Sequence, residues 1–165
     1  MTRGSVVLDI DGVLTRDQFS RFGGIGPFGQ VVWWGLRATG VAERLMRDAV
    51  PDTLAREWVR QLRALGYTVD LRTGRLQGKP EQITRDWLSR NCMEYDSLSC
   101  RPPGVELCEF KLAGVRRSVG CLIYIDDNHE LCREAAKLGA DAPVVLECTD
   151  WRIVATVLAG LTKEA

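Results

Sequence analysis

The stretch Val6–Thr15, with the sequence VVLDIDGVLT, holds the pattern that decides the fold. Four of its first five residues are apolar, which is typical of a strand covered on both faces. Two aspartates, Asp9 and Asp11, then stand one residue apart, and Gly12 follows Asp11 directly. Like charges at the end of a buried run repel each other. The stretch is therefore either a strand that runs out into a polar turn or a functional site.

The composition is that of an ordinary globular protein of 165 residues, of which 45% are apolar and 27% charged. Lys and Arg number 22, and so do Asp and Glu, which argues against a general affinity for nucleic acid but not against a local basic groove. The sequence does not begin with a signal-peptide pattern, and no apolar run approaches about 18 residues. We therefore expect a cytoplasmic protein rather than a secreted or membrane-spanning one.

The cysteines and the single histidine do not predict a zinc site. No two cysteines form C-x-x-C, and His129 has no partner histidine. Several of the cysteines lie in apolar runs, so we interpret them as free, buried thiols in a reducing compartment. The six are Cys92, Cys100, Cys108, Cys121, Cys132 and Cys148.

Short apolar runs predict strands, and helical patterns lie between them. The predicted strands are Val6–Ile10, Thr68–Leu71, Ser97–Cys100, Leu122–Ile125 and Val144–Leu146. The predicted helices are Thr53–Leu65, Pro80–Arg90, Glu106–Val119, His129–Leu138 and a last helix after the N-cap Asp150, with Ile153, Val154, Val157 and Leu161 facing inward. Alternation of strands and helices implies a three-layer α/β domain with a mainly parallel sheet.

A long segment between the first strand and the helix at Thr53 interrupts this alternation. It begins rich in Gly and aromatic residues, which predicts a loop or flap, and continues with a helical pattern. We expect residues 1–165 to form one domain with a flap or small cap insert at 16–52. Arg16, Arg21 and Arg37 are either phosphate contacts or solvated surface charges. The aromatic residues either stack on a base or pack the insert; they are Phe19, Phe22, Phe28, Trp33 and Trp34.

Acidic and phosphate-binding residue types follow three of the predicted strands. Ligands bind beyond the carboxyl ends of the strands in an open parallel sheet, so we expect these residues to meet there. Clustered carboxylates repel unless a cation lies among them, and oxygen ligands suit Mg²⁺. A hydroxyl, backbone N–H groups, Lys and Arg suit a phosphoryl group. The residues are Asp9, Asp11, Asp126, Asp127, Thr73, Gly74, Arg75 and, from the third helix, Lys111.

These residue types predict covalent phosphoryl chemistry. Asp9 attacks phosphorus while Mg²⁺ and Lys111 neutralise charge, and Asp11 protonates the leaving oxygen and later activates water. Taken alone, each motif has plainer interpretations, since D-x-D also occurs in metal-dependent glycosyltransferases and a strand-terminal DD is often a solvated turn. A calcium loop of the EF-hand type is excluded because its glycine belongs at the sixth position, whereas Gly12 is at the fourth.

The motifs in this order resemble the haloacid dehalogenase (HAD) superfamily of phosphatases. VVLDIDGVLT resembles the first motif of that family, VDLRTGR the second at Thr73, Lys111 the third, and IYIDDN the fourth. The resemblance implies a Rossmann-like sheet with strand order 5-4-1-2-3, Asp9 as nucleophile and Asp11 as general acid and base. It also implies Mg²⁺ held by Asp9, the Asp11 backbone carbonyl and the fourth-motif pair. Within that pair we favour Asp127 as the direct ligand and Asp126 as its support.

A closer resemblance is to the phosphatase domain of polynucleotide kinase–phosphatases. It rests on Arg75 after Gly74, on the GPFG stretch at Gly26–Gly29, on Arg101 in SCRPPG and on the DD pair before a helix. No G-x-x-x-x-G-K-[ST] kinase motif is present. The resemblance implies a nucleic-acid 3′-phosphate end as substrate and offers Arg101 as a contact. A small helical lid at the insert would suit a nucleotide instead, and Arg16 and Arg21 are further candidate substrate contacts. A phosphatase for another small metabolite and a non-catalytic binding module are the alternatives, and the oligomeric state is open.

Overall fold

A computed structural model describes residues 3–16, 36, 38–117, 121–138 and 142–163, and its strands form one parallel sheet. The strands are β1 (Ser5–Leu8), β2 (Thr68–Leu76), β3 (Ser97–Arg101), β4 (Cys121–Asp126) and β5 (Val144–Glu147). Their order across the sheet is β3-β2-β1-β4-β5, and every neighbouring pair runs parallel. The predicted α/β class and the predicted order 5-4-1-2-3 are both confirmed.

Six helices occur in the described part of the chain and cover both faces of the sheet. They are α1 (Val41–Asp48), α2 (Thr53–Ala64), α3 (Lys79–Arg90), α4 (Leu107–Arg117), α5 (His129–Ala135) and α6 (Trp151–Lys163). Residues of α2, α3 and α6 pack with Val6 and Leu8 in the larger apolar cluster. Residues of α4 and α5 pack with Val7 in a smaller cluster. Successive side chains of a strand point to opposite faces, so these two clusters lie on opposite sides of the sheet.

The central strand β1 is buried along its whole length, as its continuous apolar sequence predicts. Ser5 to Leu8 are all buried, and β1 pairs with β2 on one side and with β4 on the other. The strand ends at Leu8, two residues earlier than predicted, and a turn follows. Gly12 lies in that turn with a φ of 77°, a conformation that glycine adopts without steric cost. Asp9 and Asp11 therefore stand just beyond the carboxyl end of the central strand.

Strand β2 is longer than predicted and carries part of the candidate site within it. The sequence predicts its end at Leu71, but the strand continues to Leu76. Its residues alternate in burial, with Val69, Leu71, Thr73 and Arg75 on the buried side. The pattern TVDLRTGRL looks polar after Leu71 because two of its buried side chains are a threonine and an arginine. Thr73 and Arg75 thus share a face with core residues and do not lie in a turn.

The inward face of helix α6 differs from the prediction. Ile153 and Val157 were expected to face inward, but they are 60% and 37% exposed. Trp151, Val154 and Leu158 are the buried residues of this helix. Apolar residues occur on more than one side of α6, so helical spacing alone does not choose the face. The indole N–H of Trp151 donates a hydrogen bond to the Val13 carbonyl and fixes the rotation of the helix.

The two ends of the segment predicted as an insert lie side by side. Thr15 forms an antiparallel bridge with Pro51, the Arg16 N–H donates to the Val50 carbonyl, and the Asp52 N–H donates to the Leu14 carbonyl. Helix α1 belongs to the returning part and packs along α3. The predicted flap at Gly26–Gly29, the aromatic residues of the insert and Arg21 and Arg37 lie outside the described residues. The assignment of 1–165 as one domain stays a prediction.

The cysteines agree with the interpretation as free thiols. All six are free, and Cys100, Cys121, Cys132 and Cys148 are buried, whereas Cys92 is exposed and Cys108 half-buried. Burial raises the pKa of the Cys100 thiol to about 11, which favours the unreactive protonated form. Among the described helices, none is long and apolar enough to cross a membrane.

Candidate active site

The sheet brings the carboxylates together because β1 and β4 are neighbours. The Asp9 N–H donates to the Ile125 carbonyl at 3.0 Å, so Asp9 lies beside the end of β4. Asp126 is the last residue of that strand, and Asp127 follows it. Carboxylate oxygens of Asp9, Asp126 and Asp127 lie within 4.8 Å of one another. Asp9 and Asp126 are buried, with exposed fractions of 5% and 0%. Three of the four predicted acidic residues therefore form one cluster.

Lys111 of α4 lies between two of these carboxylates. Its Nζ is 2.6 Å from Asp9 Oδ2 and 2.7 Å from Asp126 Oδ2, and its side chain is only 3% exposed. Burial alone would lower the pKa of Lys111, but the charges of Asp9 and Asp126 and their hydrogen bonds raise it above its ordinary value. The ammonium group therefore stays charged and compensates part of the cluster's negative charge.

Asp126 has hydrogen-bond partners on both of its carboxylate oxygens. Oδ2 accepts from Lys111 and, at 2.6 Å, from the hydroxyl of Tyr124, while Oδ1 accepts from the Asn128 N–H at 3.0 Å. Tyr124 is 1% exposed and was not singled out in the sequence. The available signal was its position two residues before Asp126, which places both side chains on one face of β4. These contacts fix the orientation of Asp126 and suit a supporting role.

Asp127 lies on the other side of the cluster, against the turn that contains Gly12. A Cβ atom at Gly12 would lie 2.0 Å from Asp127 Oδ2, so only a glycine leaves room for this carboxylate. The residue as a whole is exposed, but its carboxyl group packs against the turn. Burial of that group, followed by the charge of Asp126, raises the pKa of Asp127 to about 7. The carboxylate needs a positive partner to stay ionised at lower pH.

The electrostatics of Asp9 fit a cation in the cluster. Burial raises the pKa of Asp9 well above its ordinary value, Lys111 opposes that rise, and the charges of Asp126 and Asp127 add to it. Asp9 Oδ2 accepts from Lys111, but the buried Oδ1 has no hydrogen-bond partner among the described residues. A buried oxygen without a partner is costly unless it binds something further. Three carboxylates with such an oxygen form the donor set that a Mg²⁺ ion uses.

Thr73 and Gly74 lie on β2, next to the central strand. Thr73 is fully buried, and its Oγ1 accepts the Arg75 N–H at 3.2 Å, which leaves the hydroxyl proton for another acceptor. A Cβ atom at Gly74 would lie 2.9 Å from Leu107 Cδ1 at the start of α4. The glycine therefore allows β2 and α4 to approach closely, which brings α4 and its Lys111 toward the strand ends.

Arg75 contacts Asp11 in the structure. Its Nε is 2.9 Å from Asp11 Oδ2 and its Nη2 is 2.6 Å from Oδ1, while Nη1 donates to Thr84 Oγ1 at 3.2 Å. Burial alone would lower the pKa of Arg75, but the charge of Asp11 and its hydrogen bonds raise it. Asp11 is therefore held by Arg75, and its side chain is not part of the acidic cluster. Thr84, a buried hydroxyl beside Ile83 on α3, was not predicted as part of the site.

The three arginines predicted as substrate contacts differ in how the structure relates them to the site. Arg101, at the end of β3, donates to the Val105 carbonyl at 3.0 Å and to the Gly74 carbonyl at 3.4 Å, so it lies beside the β2 part of the site. Arg16 is exposed where the insert begins. Arg21 lies outside the described residues. The roles of all three as substrate contacts stay predictions.

No protein-family model and no curated protein matches the sequence. Solved structures resemble the fold. A haloacid dehalogenase-like hydrolase from Streptococcus pneumoniae has a TM-score of 0.65 at 11% identity, covering 94% of this chain and 98% of that one. A D,D-heptose 1.7-bisphosphate phosphatase from B. bronchiseptica, complexed with magnesium and phosphate, has a TM-score of 0.59 at 16% identity over 98% of this chain and 99% of that one.

A further similar structure is a chain of the Pnkp1/Rnl/Hen1 complex, with a TM-score of 0.63 at 16% identity. The match covers 88% of the present chain but only 46% of the other, so the present chain spans less than half of that protein. A second structure of the same assembly is described as an RNA repair complex. All these identities are low, so the likeness concerns the fold. The chain therefore shares its fold with a haloacid dehalogenase-like hydrolase and with phosphatases of solved structure.

Proposed function

We propose that the protein is a Mg²⁺-dependent phosphatase that hydrolyses phosphomonoesters through an aspartyl-phosphate on Asp9. The observation that carries this proposal is the environment of Asp9 at the end of the central strand. One carboxylate oxygen is held by Lys111, and the other is buried without a hydrogen-bond partner among the described residues. Asp126 and Asp127 stand beside it. This arrangement fixes a nucleophile and prepares its second oxygen for a cation.

The acidic cluster is the proposed metal site. Asp9 and Asp127 would hold the ion directly through their side chains, with the Asp11 backbone carbonyl as a third ligand. Asp126 supports the site, because its oxygens are already bound by Lys111, Tyr124 and the backbone. Mg²⁺ would supply positive charge that neutralises the carboxylates and the phosphoryl oxygens. The nucleophile and the proton donor of the reaction are then side chains of this chain, Asp9 and Asp11.

The reaction proceeds in two displacements. An Asp9 oxygen attacks phosphorus, and the bond from phosphorus to the ester oxygen breaks. Asp11, which takes up a proton before this step, gives that proton to the ester oxygen as the alcohol leaves. Asp11, now ionised, takes a proton from a water molecule, which attacks the phosphorus of the aspartyl-phosphate. The bond between phosphorus and the Asp9 oxygen breaks, which releases inorganic phosphate and restores Asp9.

Groups around Asp9 suit the phosphoryl oxygens. Lys111 already lies 2.6 Å from Asp9 and carries a charge, so it offers N–H donors next to the reacting phosphorus. The Thr73 hydroxyl keeps its proton free for donation because its oxygen accepts from the backbone of Arg75. With the backbone at Gly74, these donors provide electrostatic stabilisation of the charge that develops on the phosphoryl group.

We propose a nucleic-acid 3′-phosphate end or a nucleotide as the substrate. This choice is supported by the order of motifs around Arg75 and Arg101 and by the fold similarity to a chain of an RNA repair complex. The competing candidate is a small-metabolite phosphatase. It is supported by the heptose bisphosphate phosphatase, whose whole length corresponds to this chain.

The proposed chemistry is tested by hydrolysis of an aryl phosphate with and without Mg²⁺. We expect turnover by the wild type that depends on Mg²⁺, and a loss of at least about a thousandfold with Asp9→Asn, which removes the nucleophile but keeps the side-chain shape. Asp48→Asn is the matched control, because Asp48 is exposed at the end of α1. Activity that survives Asp9→Asn would exclude the covalent mechanism.

The substrate is tested separately with a 3′-phosphorylated oligonucleotide, a set of mononucleotides and a set of sugar phosphates. A higher kcat/KM for the oligonucleotide or the mononucleotides supports the proposed class. A clear preference for sugar phosphates supports the metabolite candidate. No turnover of any phosphomonoester by the wild type would favour a non-catalytic binding module.

A further inference from the structure

Arg75 and Asp11 form a bidentate ion pair within the site. The guanidinium presents two N–H groups to the two carboxylate oxygens, at 2.9 and 2.6 Å, in a bidentate arrangement. Such pairs fix both the distance and the plane of the carboxylate. The Arg75 side chain is 1% exposed, and that of Asp11 is 26% exposed. The arginine is therefore part of the protein interior, while the carboxylate that it holds is partly accessible to solvent.

Arg75 is itself held at several points that do not involve a substrate. Its Nη1 donates to Thr84 Oγ1, and the Thr84 hydroxyl donates in turn to the Pro80 carbonyl at 2.8 Å. The guanidinium carbon lies 6.0 Å from the centre of the Trp87 ring. The backbone of Arg75 is fixed within β2. The side chain thus runs from the sheet to helix α3 and meets Asp11 with little freedom to turn.

We propose that Arg75 is a positioning residue that holds Asp11 in place for proton transfer, and that it does not bind the transferred phosphoryl group. The inference rests on the proposed function and refines one part of it, since the residue type alone predicted a phosphate contact. Three of the five N–H groups of the guanidinium are used by Asp11 and Thr84. The Nε and Nη2 atoms, which form one edge of the guanidinium, are both occupied by Asp11.

The two roles differ in how they affect different leaving groups. A phosphate ligand stabilises the phosphoryl oxygens whatever alcohol departs. A residue that orients the general acid matters most when the departing oxygen is strongly basic and needs a proton, as in an alkyl phosphate. A nitrophenolate leaves readily without that proton. Loss of a positioning residue should therefore slow the first displacement far more for alkyl phosphates than for nitrophenyl phosphate.

The experiment compares kcat/KM for p-nitrophenyl phosphate and glycerol 2-phosphate, together with inhibition by inorganic phosphate. This ratio reports the first displacement, whereas kcat also contains hydrolysis of the aspartyl-phosphate, which is the same for both esters. For Arg75→Met we expect kcat/KM for glycerol 2-phosphate to fall by at least about a hundredfold and kcat/KM for the aryl ester by less than about tenfold. The inhibition constant of inorganic phosphate should change by less than about threefold. Thr84→Val should show the same selectivity with a smaller loss. Arg85→Met is the matched control, because Arg85 is exposed on the same helix and pairs with Glu81.

Each result decides between the roles. Equal losses of kcat/KM on both substrates, or a weakened inhibition by phosphate, would overturn the positioning role. If Arg75→Met does not fold, as judged by circular dichroism, Thr84→Val decides alone, since selective loss supports the inference and equal or absent loss refutes it. A wild type that hydrolyses neither ester refutes the proposed function itself. An active wild type whose variants lose activity equally on both esters refutes only the positioning role of Arg75.

Discussion

Replacing Lys111 with methionine tests the charge balance of the acidic cluster. The change removes an ammonium that lies 2.6 Å from Asp9 and 2.7 Å from Asp126, and it keeps the apolar stem. Removing one partner of a buried ion pair costs about 3–5 kcal/mol, because the remaining charge stays buried without compensation. For a domain of this size each kcal/mol corresponds to about 2–4 °C in Tm, so we expect Tm to fall by about 6–20 °C.

The measurement is thermal unfolding at pH 8 in the presence of a chelator and then of Mg²⁺. Lys79→Met is the matched control, since the Lys79 side chain is 71% exposed and its pair with Glu43 should contribute less than about 1 kcal/mol. Mg²⁺ should raise the Tm of Lys111→Met by more than that of the wild type, because no ammonium then repels the ion. The deficit should shrink as the pH falls, since the raised pKa of Asp9 favours uptake of a proton. A deficit below about 1 kcal/mol at pH 8 in chelator would refute the reasoning.

Three further predictions concern single residues. Gly12→Ala should lower stability by about 1–3 kcal/mol and weaken Mg²⁺ binding measured by calorimetry, because φ is 77° and the new Cβ would lie 2.0 Å from Asp127 Oδ2. Mg²⁺ affinity should rise about tenfold from pH 6 to pH 8, because the ion displaces a proton from Asp127, whose pKa is about 7. If the affinity of Asp127→Asn for Mg²⁺ depends on pH as the wild type does, this explanation is contradicted. Asp96→Asn should cost about 1 kcal/mol in urea unfolding at neutral pH. Burial alone would raise the pKa of Asp96, but hydrogen bonds from the Val69 N–H and Arg63 lower it. The difference in unfolding free energy between wild type and Asp96→Asn should therefore disappear as the pH falls below about 4. A difference that stays constant with pH would argue against the pair of Asp96 and Arg63.

The sequence predicted the parts of the site that depend on strand ends. A continuous apolar run followed by Asp9 and a second run followed by Asp126 identify two buried neighbouring strands. Parallel pairing then requires their carboxylates to meet, as they do. Lys111 was predicted only by its place in the order of motifs, and the structure brings it between the two carboxylates. Strand register fixes the places of these residues, and their roles stay predictions.

The remaining features depend on side-chain contacts that spacing does not encode. Arg75 looked like a phosphate contact by residue type, yet its guanidinium pairs with Asp11, which is distant in sequence. Tyr124 looked like one more core residue of an apolar strand, and only the fold shows its hydroxyl on Asp126. The rotation of α6 was missed because the indole of Trp151 bonds to Val13, near the other end of the chain.

The position of β1 between β2 and β4 has a consequence for the order in which the protein assembles. Ser5 pairs with Thr68 on one side and with Cys121 on the other, so the central strand is completed only by contacts that are distant along the chain. Contacts of this kind form late and slow the folding of parallel sheets. During synthesis the ribosome releases Asp9 long before Lys111 and β4. A nascent chain therefore carries the nucleophile without the groups that compensate its charge, and the site comes into existence only when most of the chain has been made.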